Sequence, residues 1–455
     1  MTPIVTKPSV RDEFKQLFKL AIPLIGAQLA QSVTGFVDTI MMGRLGADIL
    51  AAGGLASLTF NGFLIGVTGI IIGLSPLIAE AYGAENKKKI AKLTYQGFWL
   101  VFLLTIPAML IIAKLDTVML FLGQAEVTVN VANSYLDAIL WGFFPALGFV
   151  MLRCVVSALS QTRPIMMIVV AGTVFNVFGN YVLGFGKLGF PSLGLAGLAI
   201  SSAATHWGMF FALLIYSLKH PQLKNYVLFK GIRGVHWETM IELFKIGLPI
   251  SVFYSLEVGL FVTVTYLMGL LGTEVLAAHQ IVLQTIYIVF MVPLGISLAT
   301  TIRVGQWLGQ KNLRGIKLAS YLSIASGLVF AVAITIVMLL FPKAVVGLYL
   351  DINDPVNVPI VSLALPMLRV ATLAQALDGM QKITYGALQG LQDTRIPMFL
   401  SIPAFWGIGL TTGYIFSFYF NWGGAGLWLG QSIGLGVGAI LFLIRFRMLI
   451  KNLKL

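Results

Sequence analysis

Three acidic residues lie inside long apolar stretches of this sequence, where a carboxylate has little structural use. They are Asp38, Glu257 and Asp378, whereas most of the other acidic residues lie in polar segments or at the ends of the apolar runs. An ionised side chain in hydrocarbon costs at least about 2.5–3.5 kcal/mol by insertion scales, so it normally faces a cavity or a partner. We therefore predict that these carboxylates bind and release a cation.

Glu257 and Asp378 could handle a cation in two ways, which the residue types do not separate. A carboxylate among apolar groups can load a proton, and paired carboxylate oxygens can hold Na⁺. Lys382 follows Asp378 by four residues and could instead neutralise it. Because Lys382 and Arg153 lie near predicted cytoplasmic span ends, we also expect both to extend toward the interface.

Polar and aromatic residues near the three acids could complete the sites. Asn176 and Asn180 are one helical turn apart, so their amides could serve a cation together with Asp38, or only join neighbouring helices. Aromatic faces attract organic cations, although any single aromatic residue could be ordinary core. The candidates for a substrate cavity are Gln31, Phe253, Tyr254, Phe261, Tyr287 and Phe290.

The sequence indicates no enzyme and no cofactor. It has no G-x-x-x-x-G-K-[ST] sequence for a nucleotide, and its single cysteine, Cys154, permits no internal disulfide. His206 and His279 have no metal-ligand partners at useful spacing. Any transport must therefore be driven by an ion gradient.

The composition is that of a helical membrane protein. Of the 455 residues 58% are hydrophobic and only 10% are charged, against about 45–50% and about 25% in soluble domains. Apolar runs of at least about 18 residues, each long enough to span a bilayer as a helix, recur along the chain. The net charge of +13 is attributed to membrane topology, so no nucleic acid partner is expected.

The apolar runs predict twelve spans. They lie near residues 14–43, 53–82, 93–113, 128–158, 164–185, 194–218, 242–270, 276–308, 316–341, 357–389, 396–420 and 424–446. With the N-terminus in the cytoplasm, 23 of the 30 Lys and Arg residues fall on the cytoplasmic side and four on the other, while three fall within spans. Positive charge concentrates on the cytoplasmic side of membrane proteins, so both termini are expected there.

The two halves of the chain are copies of each other. A shift of 226 positions aligns residues 18–86 with 244–312 without a gap, and further on a shift of 229 pairs Arg153 with Lys382. Since each copy has an even number of spans, the repeat is parallel. We predict an N-terminal six-helix lobe at 1–218, a basic cytoplasmic linker at 219–241 and a C-terminal six-helix lobe at 242–455.

Several short motifs resemble the multidrug and toxic compound extrusion (MATE) family, most closely its bacterial NorM branch. They are Gly35–Thr39, Tyr181–Gly189, Ala277–Gln280, Ile302–Gly305 and Gly386–Gly390. The resemblance implies an all-α, V-shaped, two-lobed antiporter of the bacterial inner membrane that uses Na⁺ or H⁺ to expel hydrophobic, mostly cationic drugs. It also implies cation binding by the acids at 257 and 378, a coupling role for the acid at 38, and an aromatic near the cation site at 290. Because both acids of the C-terminal lobe are present, we favour Na⁺ as the coupling ion.

Two other functions stay open at this stage. A flippase for lipid-linked precursors, from the related superfamily, would usually need a strongly cationic cavity, whereas the charges in these spans are mainly acidic. An integral-membrane enzyme acting on lipid would need a nucleophile with its base, or a metal cluster, and neither is evident. Two complete lobes in one chain need no partner to enclose a cavity, so we expect a functional monomer in the lipid bilayer.

Overall fold

The computed structural model describes residues 9–121, 125–224 and 234–453, and in these ranges the regular structure is entirely helical. Thirteen helices form the framework. They are α1 (Val10–Leu45), α2 (Ala47–Gly83), α3 (Lys87–Ile112), α4 (Glu126–Leu140), α5 (Phe143–Ala158), α6 (Arg163–Gly184), α7 (Gly194–Lys219), α8 (Trp237–Leu270), α9 (Thr273–Gly309), α10 (Leu313–Leu340), α11 (Pro355–Gly390), α12 (Arg395–Tyr419) and α13 (Gly423–Asn452). Short helices at Leu115–Phe121, Pro221–Lys224 and Pro342–Val346 lie between them.

The number of spans agrees with the twelve predicted. Within the described residues, eleven helices are long and apolar enough to cross a membrane, and the pair α4 and α5, bent by 49° at a short break, makes a twelfth when counted as one span. Helices are the expected solution because hydrocarbon offers no partner to a peptide N–H or C=O group, and an α-helix pairs these groups within the span. The chain is therefore an all-α, multi-span membrane protein.

Turns at matching positions show that the repeat extends to local geometry. Gly46 and Gly272 begin the second helix of each half with φ of 137° and 127°, a conformation that glycine adopts readily because it has no Cβ. The side chain of Asn86 accepts a hydrogen bond from the Lys89 N–H, and Asn312 accepts one from the Gly315 N–H. Asparagine caps of this kind stabilise a helix start by about 1 kcal/mol.

The chain packs into two compact units. In the part of the chain that the structure describes, the first unit contains residues 26–251 and the second contains residues 9–25 together with 252–453. The two exchange points, after Ile25 and after Ser251, are separated by the 226-residue shift of the repeat. The lobe boundaries expected from the sequence stay a prediction.

Part of the predicted linker lies outside the described residues, namely 225–233, as do residues 1–8 of the basic N-terminal segment. The described end of the linker packs on α3 in the first unit. The Gln96 side-chain amide donates to the Gly234 carbonyl at 3.1 Å, and its oxygen accepts from the His236 N–H at 3.0 Å. His236 Nε2 also lies 3.2 Å from Lys92 Nζ.

Small residues bring α12 and α13 together in the second unit. On α13, Gly430, Gly434 and Gly438 follow one another at four-residue steps, a spacing that favours close helix packing in membranes. A Cβ added at Gly434 would lie 2.6 Å from Gly409 Cα and 2.8 Å from the Ala404 carbonyl oxygen. Both are backbone atoms, so the two helices would have to move apart to make room for the added Cβ. Gly208 on α7 differs, because a Cβ there would meet nothing within 4 Å.

We expect Gly434→Ala to destabilise the protein by about 1–3 kcal/mol, because overpacking forces the backbone to shift. Thermal unfolding of the purified protein in detergent measures the effect. Gly208→Ala is the matched control and should leave the unfolding temperature unchanged. Equal unfolding temperatures for the two variants would contradict the close contact.

Candidate functional site

Glu257 and Lys382 form an ion pair inside the second unit. The Lys382 ammonium donates a hydrogen bond to Glu257 Oε2, and only 2% of the Lys382 side chain and 11% of the Glu257 side chain are exposed. Glu257 lies near the middle of α8, and Lys382 lies eight residues before the end of α11. The prediction that Lys382 extends to the interface is therefore wrong. The Glu257 carboxylate lies within reach of the ammonium inside the unit and pairs with it there.

Three aromatic rings surround the Lys382 ammonium. Its Nζ lies 4.7 Å from the ring centre of Tyr254 and 5.3 Å from those of Phe253 and Phe290. The π face of an aromatic ring attracts a cation at such distances, and more strongly when water is excluded. One carboxylate and three rings thus enclose the charge, and we call Glu257, Lys382, Asp378 and these rings the C-terminal cluster.

Asp378 is the second carboxylate of the cluster. It is buried, with 6% of its surface exposed, one turn before Lys382 on α11. The i, i+4 pair expected between the two residues is not formed; among the described residues, the ion-pair partner of Lys382 is Glu257. The side chain of Lys382 crosses from α11 to α8, so only the spatial proximity of these helices could reveal its partner.

Contacts between α9 and α11 determine where Lys382 lies. The Ser297 hydroxyl donates to the Lys382 carbonyl at 2.7 Å, and the Thr301 hydroxyl donates to the Gly386 carbonyl at 2.9 Å, one turn further along. The ring of Tyr385 stacks on Phe253 with 3.9 Å between ring centres. Hydrogen bonds and ring packing therefore hold the register of α11 against α8 and α9.

The predicted aromatic residues divide into two groups. Phe253, Tyr254 and Phe290 belong to the C-terminal cluster. Half of the Tyr287 surface is exposed, Phe261 is half-buried, and neither ring is among those over the Lys382 ammonium in the described structure. Gln31 is exposed on α1 in the first unit, so it belongs to a different unit from its repeat counterpart Glu257.

A second cluster in the first unit joins Asp38 to the two asparagines. Asn180 Nδ2 donates to Asp38 Oδ1 at 2.5 Å and lies 3.1 Å from Asn176 Oδ1. Asn176 Nδ2 in turn donates to the Ser202 hydroxyl on α7 at 3.0 Å. Asn180 therefore contacts the acid, and the two amides join neighbouring helices; a role of the amides in holding a cation stays a prediction. We call Asp38, Asn176, Asn180 and Ser202 the N-terminal cluster.

Asn180 retains one unused oxygen. Its side chain is fully buried, and its Oδ1 has no hydrogen-bond partner within the described residues. Asn180 also begins a π-helical turn, Asn180–Gly184, at the end of α6, a widening that often occurs at functional sites. Carboxylate and amide oxygens are the ligands that hard cations prefer, so the cluster could hold a cation next to Asp38.

Two residues of these clusters were not identified as site residues from the sequence, Lys382 and Ser202. The sequence repeat offered one signal for Lys382, namely the basic residue Arg153 at the matching position of the first half. In the structure Arg153 makes a similar contact between helices, donating to Gln28 Oε1 at 3.4 Å. Each half thus directs a basic side chain of its fourth span toward its first. Nothing in the sequence distinguished Ser202 from the other serines of α7.

Membrane-spanning helices in a repeated set, with ionisable clusters buried among them, are typical of a secondary transporter. A model of the MatE family matches the chain twice, over residues 23–182 and 249–415. The chain belongs to this family of transporters, which are not enzymes, and the resemblance seen in its motifs is confirmed.

Relatives and solved structures agree with this assignment. A probable multidrug resistance protein NorM from Synechocystis is 48% identical over 447 residues, which are 98% of this chain and 97% of the relative. Another from Brucella suis is 34% identical over 94% of this chain and 92% of the relative. The eukaryotic MATE transporter AtDTX14 has the same fold with a TM-score of 0.86 at 21% identity, covering 97% of this chain and 98% of that one.

We expect Lys382→Met to destabilise the protein by about 3–5 kcal/mol, because it leaves the Glu257 carboxylate buried without its partner. The double variant Glu257→Gln/Lys382→Met should recover most of this loss, since no unpaired charge remains. Thermal unfolding of the four proteins of this double-mutant cycle measures the coupling.

Lys89→Met is the matched control for the cycle. Lys89 pairs with Glu80 where both side chains are about one-third exposed, so its loss should cost at most about 1 kcal/mol. Additive effects of the Glu257 and Lys382 substitutions would contradict the buried pair.

Proposed function

We propose that the protein is a cation-coupled antiporter that exports hydrophobic, mostly cationic drugs and dyes across the bacterial inner membrane. The observation that carries this proposal is the C-terminal cluster, in which two carboxylates and an ammonium ringed by three aromatic side chains are buried inside a membrane protein. Carboxylates attract both a coupling ion and an organic cation, and ring faces add affinity for the latter. The multidrug resistance named for the Synechocystis and Brucella relatives supports the substrate class.

Coupling requires that ion and substrate favour different conformations, so that binding of one promotes release of the other. The carboxylates of the C-terminal cluster and Asp38 of the N-terminal cluster are the groups we propose for the ion. Na⁺ or H⁺ can serve, and Na⁺ would use Glu257 and Asp378, or Asp38 with the amide oxygens of Asn176 and Asn180. We further propose that the chain works as a monomer, with both termini in the cytoplasm.

The flippase alternative is less well supported by the charges. Lys382 adds one positive charge to the C-terminal cluster, but the two carboxylates leave it with one excess negative charge when all three groups are ionised. An anionic lipid headgroup would be repelled by that excess, whereas a cation would be attracted.

We expect Glu257→Gln, Asp378→Asn and Asp38→Asn each to lower dye efflux from expressing cells at least about tenfold, because coupling groups act only when they can exchange the ion. Efflux is measured by dye fluorescence and normalised to the amount of protein in the membrane. Glu85→Gln, at an exposed turn between α2 and α3, is the control and should leave efflux unchanged.

The double variant Glu257→Gln/Lys382→Met separates coupling from stability. If Glu257 couples the ion, efflux stays lost although the stability of the protein is restored. Recovery of efflux in the double variant, or undiminished efflux in all three single variants, would remove the assigned coupling role.

The coupling ion is identified by transport in proteoliposomes under separately imposed Na⁺ and H⁺ gradients. We expect a gradient of one ion, directed toward the cytoplasmic side of the protein, to drive dye from that side to the other. A gradient of the other ion should have little effect. Absence of transport of every cationic dye under either gradient would contradict the antiporter proposal and favour the flippase.

A further inference from the structure

The C-terminal cluster already contains a monovalent cation, the Lys382 ammonium. It contacts Glu257 Oε2 and lies 4.7–5.3 Å from the three ring centres. A carboxylate oxygen combined with aromatic faces is the same set of groups that would attract a free cation from solution. The place that the two acids would offer to Na⁺ is therefore occupied by a covalently attached side chain.

We propose that Lys382 is a tethered cation that replaces Na⁺ in the C-terminal cluster, so that this half of the transporter functions without binding Na⁺. The inference rests on the proposed function and narrows it: Lys382 determines ion specificity at Glu257 and Asp378, so that of the two coupling ions proposed above only H⁺ remains for these acids. It requires that the Glu257 carboxylate, with its ammonium partner in place, has no measurable affinity for Na⁺.

Displacing the ammonium would be costly. A Na⁺ ion at Glu257 would leave the Lys382 ammonium without its carboxylate in a site where only 2% of the side chain is exposed, and an unpaired buried charge is strongly destabilising. The bond from Ser297 to the Lys382 carbonyl holds the backbone of this residue against α9. With the backbone held in this way, the ammonium can leave Glu257 only by rotation of the side chain within the packed interior.

Binding at Asp378 alone would not avoid this cost. Asp378 and Lys382 are one turn apart on α11, so a Na⁺ ion at the Asp378 carboxylate would lie beside the ammonium. Two like charges close together in an apolar surrounding repel strongly, because little water screens them. The attached cation thus excludes the free one from both acids.

Thermal unfolding of the purified full-length protein, in NaCl and in KCl at equal ionic strength, tests the inference. We expect the unfolding temperatures of the wild type and of Glu257→Gln to respond equally to the exchange of KCl for NaCl. Lys382→Met removes the ammonium from Glu257, and its unfolding temperature should rise by at least about 2 °C as Na⁺ saturates the site. This rise should disappear in Glu257→Gln/Lys382→Met.

Two further variants control the charge. Lys382→Arg keeps a cation beside Glu257 and should remain insensitive to Na⁺, like the wild type. Lys89→Met removes a lysine from an ion pair outside the cluster and should gain no response to Na⁺. A gain in Lys89→Met as large as that in Lys382→Met would overturn the assignment to the cluster.

Two results would overturn the inference directly. One is a Na⁺-dependent stabilisation of the wild type that Glu257→Gln abolishes, and the other is a folded Lys382→Met protein without any response to Na⁺. If Lys382→Met does not fold, comparison of the wild type with the double variant decides. Stabilisation by Na⁺ that occurs in the wild type but not in the double variant overturns the inference. The same response to Na⁺ in both proteins supports it.

The readout is unfolding rather than transport, so this test and the tests of the proposed function fail independently. A wild-type protein that moves no dye would contradict the antiporter proposal while the Na⁺ response of Lys382→Met could still be measured. Conversely, Na⁺-driven dye efflux that requires Na⁺ binding to the Glu257 carboxylate would leave the antiporter proposal intact and overturn the role of Lys382.

Discussion

Hydrocarbon can solvate neither a charge nor an unpaired peptide group, and the organisation of this protein follows from that constraint. The peptide groups are paired within long helices, which is why the chain is helical throughout its described part. Several of the buried charges are paired with one another or hydrogen bonded. Glu257 has Lys382, Asp38 has the Asn180 amide, and Glu13 at the start of α1 has Arg303 on α9, with 2.6 Å between Oε2 and Nη2.

The repeat supplies two equivalent scaffolds, but their polar clusters are different. Glu257 corresponds to Gln31, whereas Asp38 corresponds to Val264, which is buried and apolar. The first unit therefore holds a single acid in a network of amides and hydroxyls, and the second holds two acids with an ammonium and aromatic rings. Duplication preserved the turns and the helix packing, while the chemistry of the two halves diverged.

This divergence suggests a division of labour between the clusters. An amide network offers neutral oxygens that can contact an ion without adding charge, and the unpaired Asn180 oxygen is available for that purpose. In the C-terminal cluster, the lysine balances one of two negative charges before any ligand arrives. An organic cation that approaches the rings there must compete with an attached ammonium, so its binding and the position of Lys382 are linked.

Much of the architecture could be predicted because it depends on properties that each segment carries by itself. Apolar length determined the spans, and the 226-residue repeat identified matching turns. The acids at positions 38, 257 and 378 were recognisable because a charge is costly in any apolar span, whatever surrounds it. The association of Asn176 and Asn180 with Asp38 could be proposed from helical spacing, although only as one of two alternatives.

The partners of those charges could not be predicted, because they depend on which helices are neighbours and on their relative depth. The sequence alone allows Lys382 to pair with Asp378 on its own helix or to extend its side chain to the membrane interface. In the folded second unit, α8 presents Glu257 and two aromatic rings to the same side chain, and α9 adds a third. The residue types alone show that these apolar spans carry carboxylates. That a lysine of another helix neutralises one of them is visible only in the folded unit, because contact between helices requires close packing that no single segment encodes.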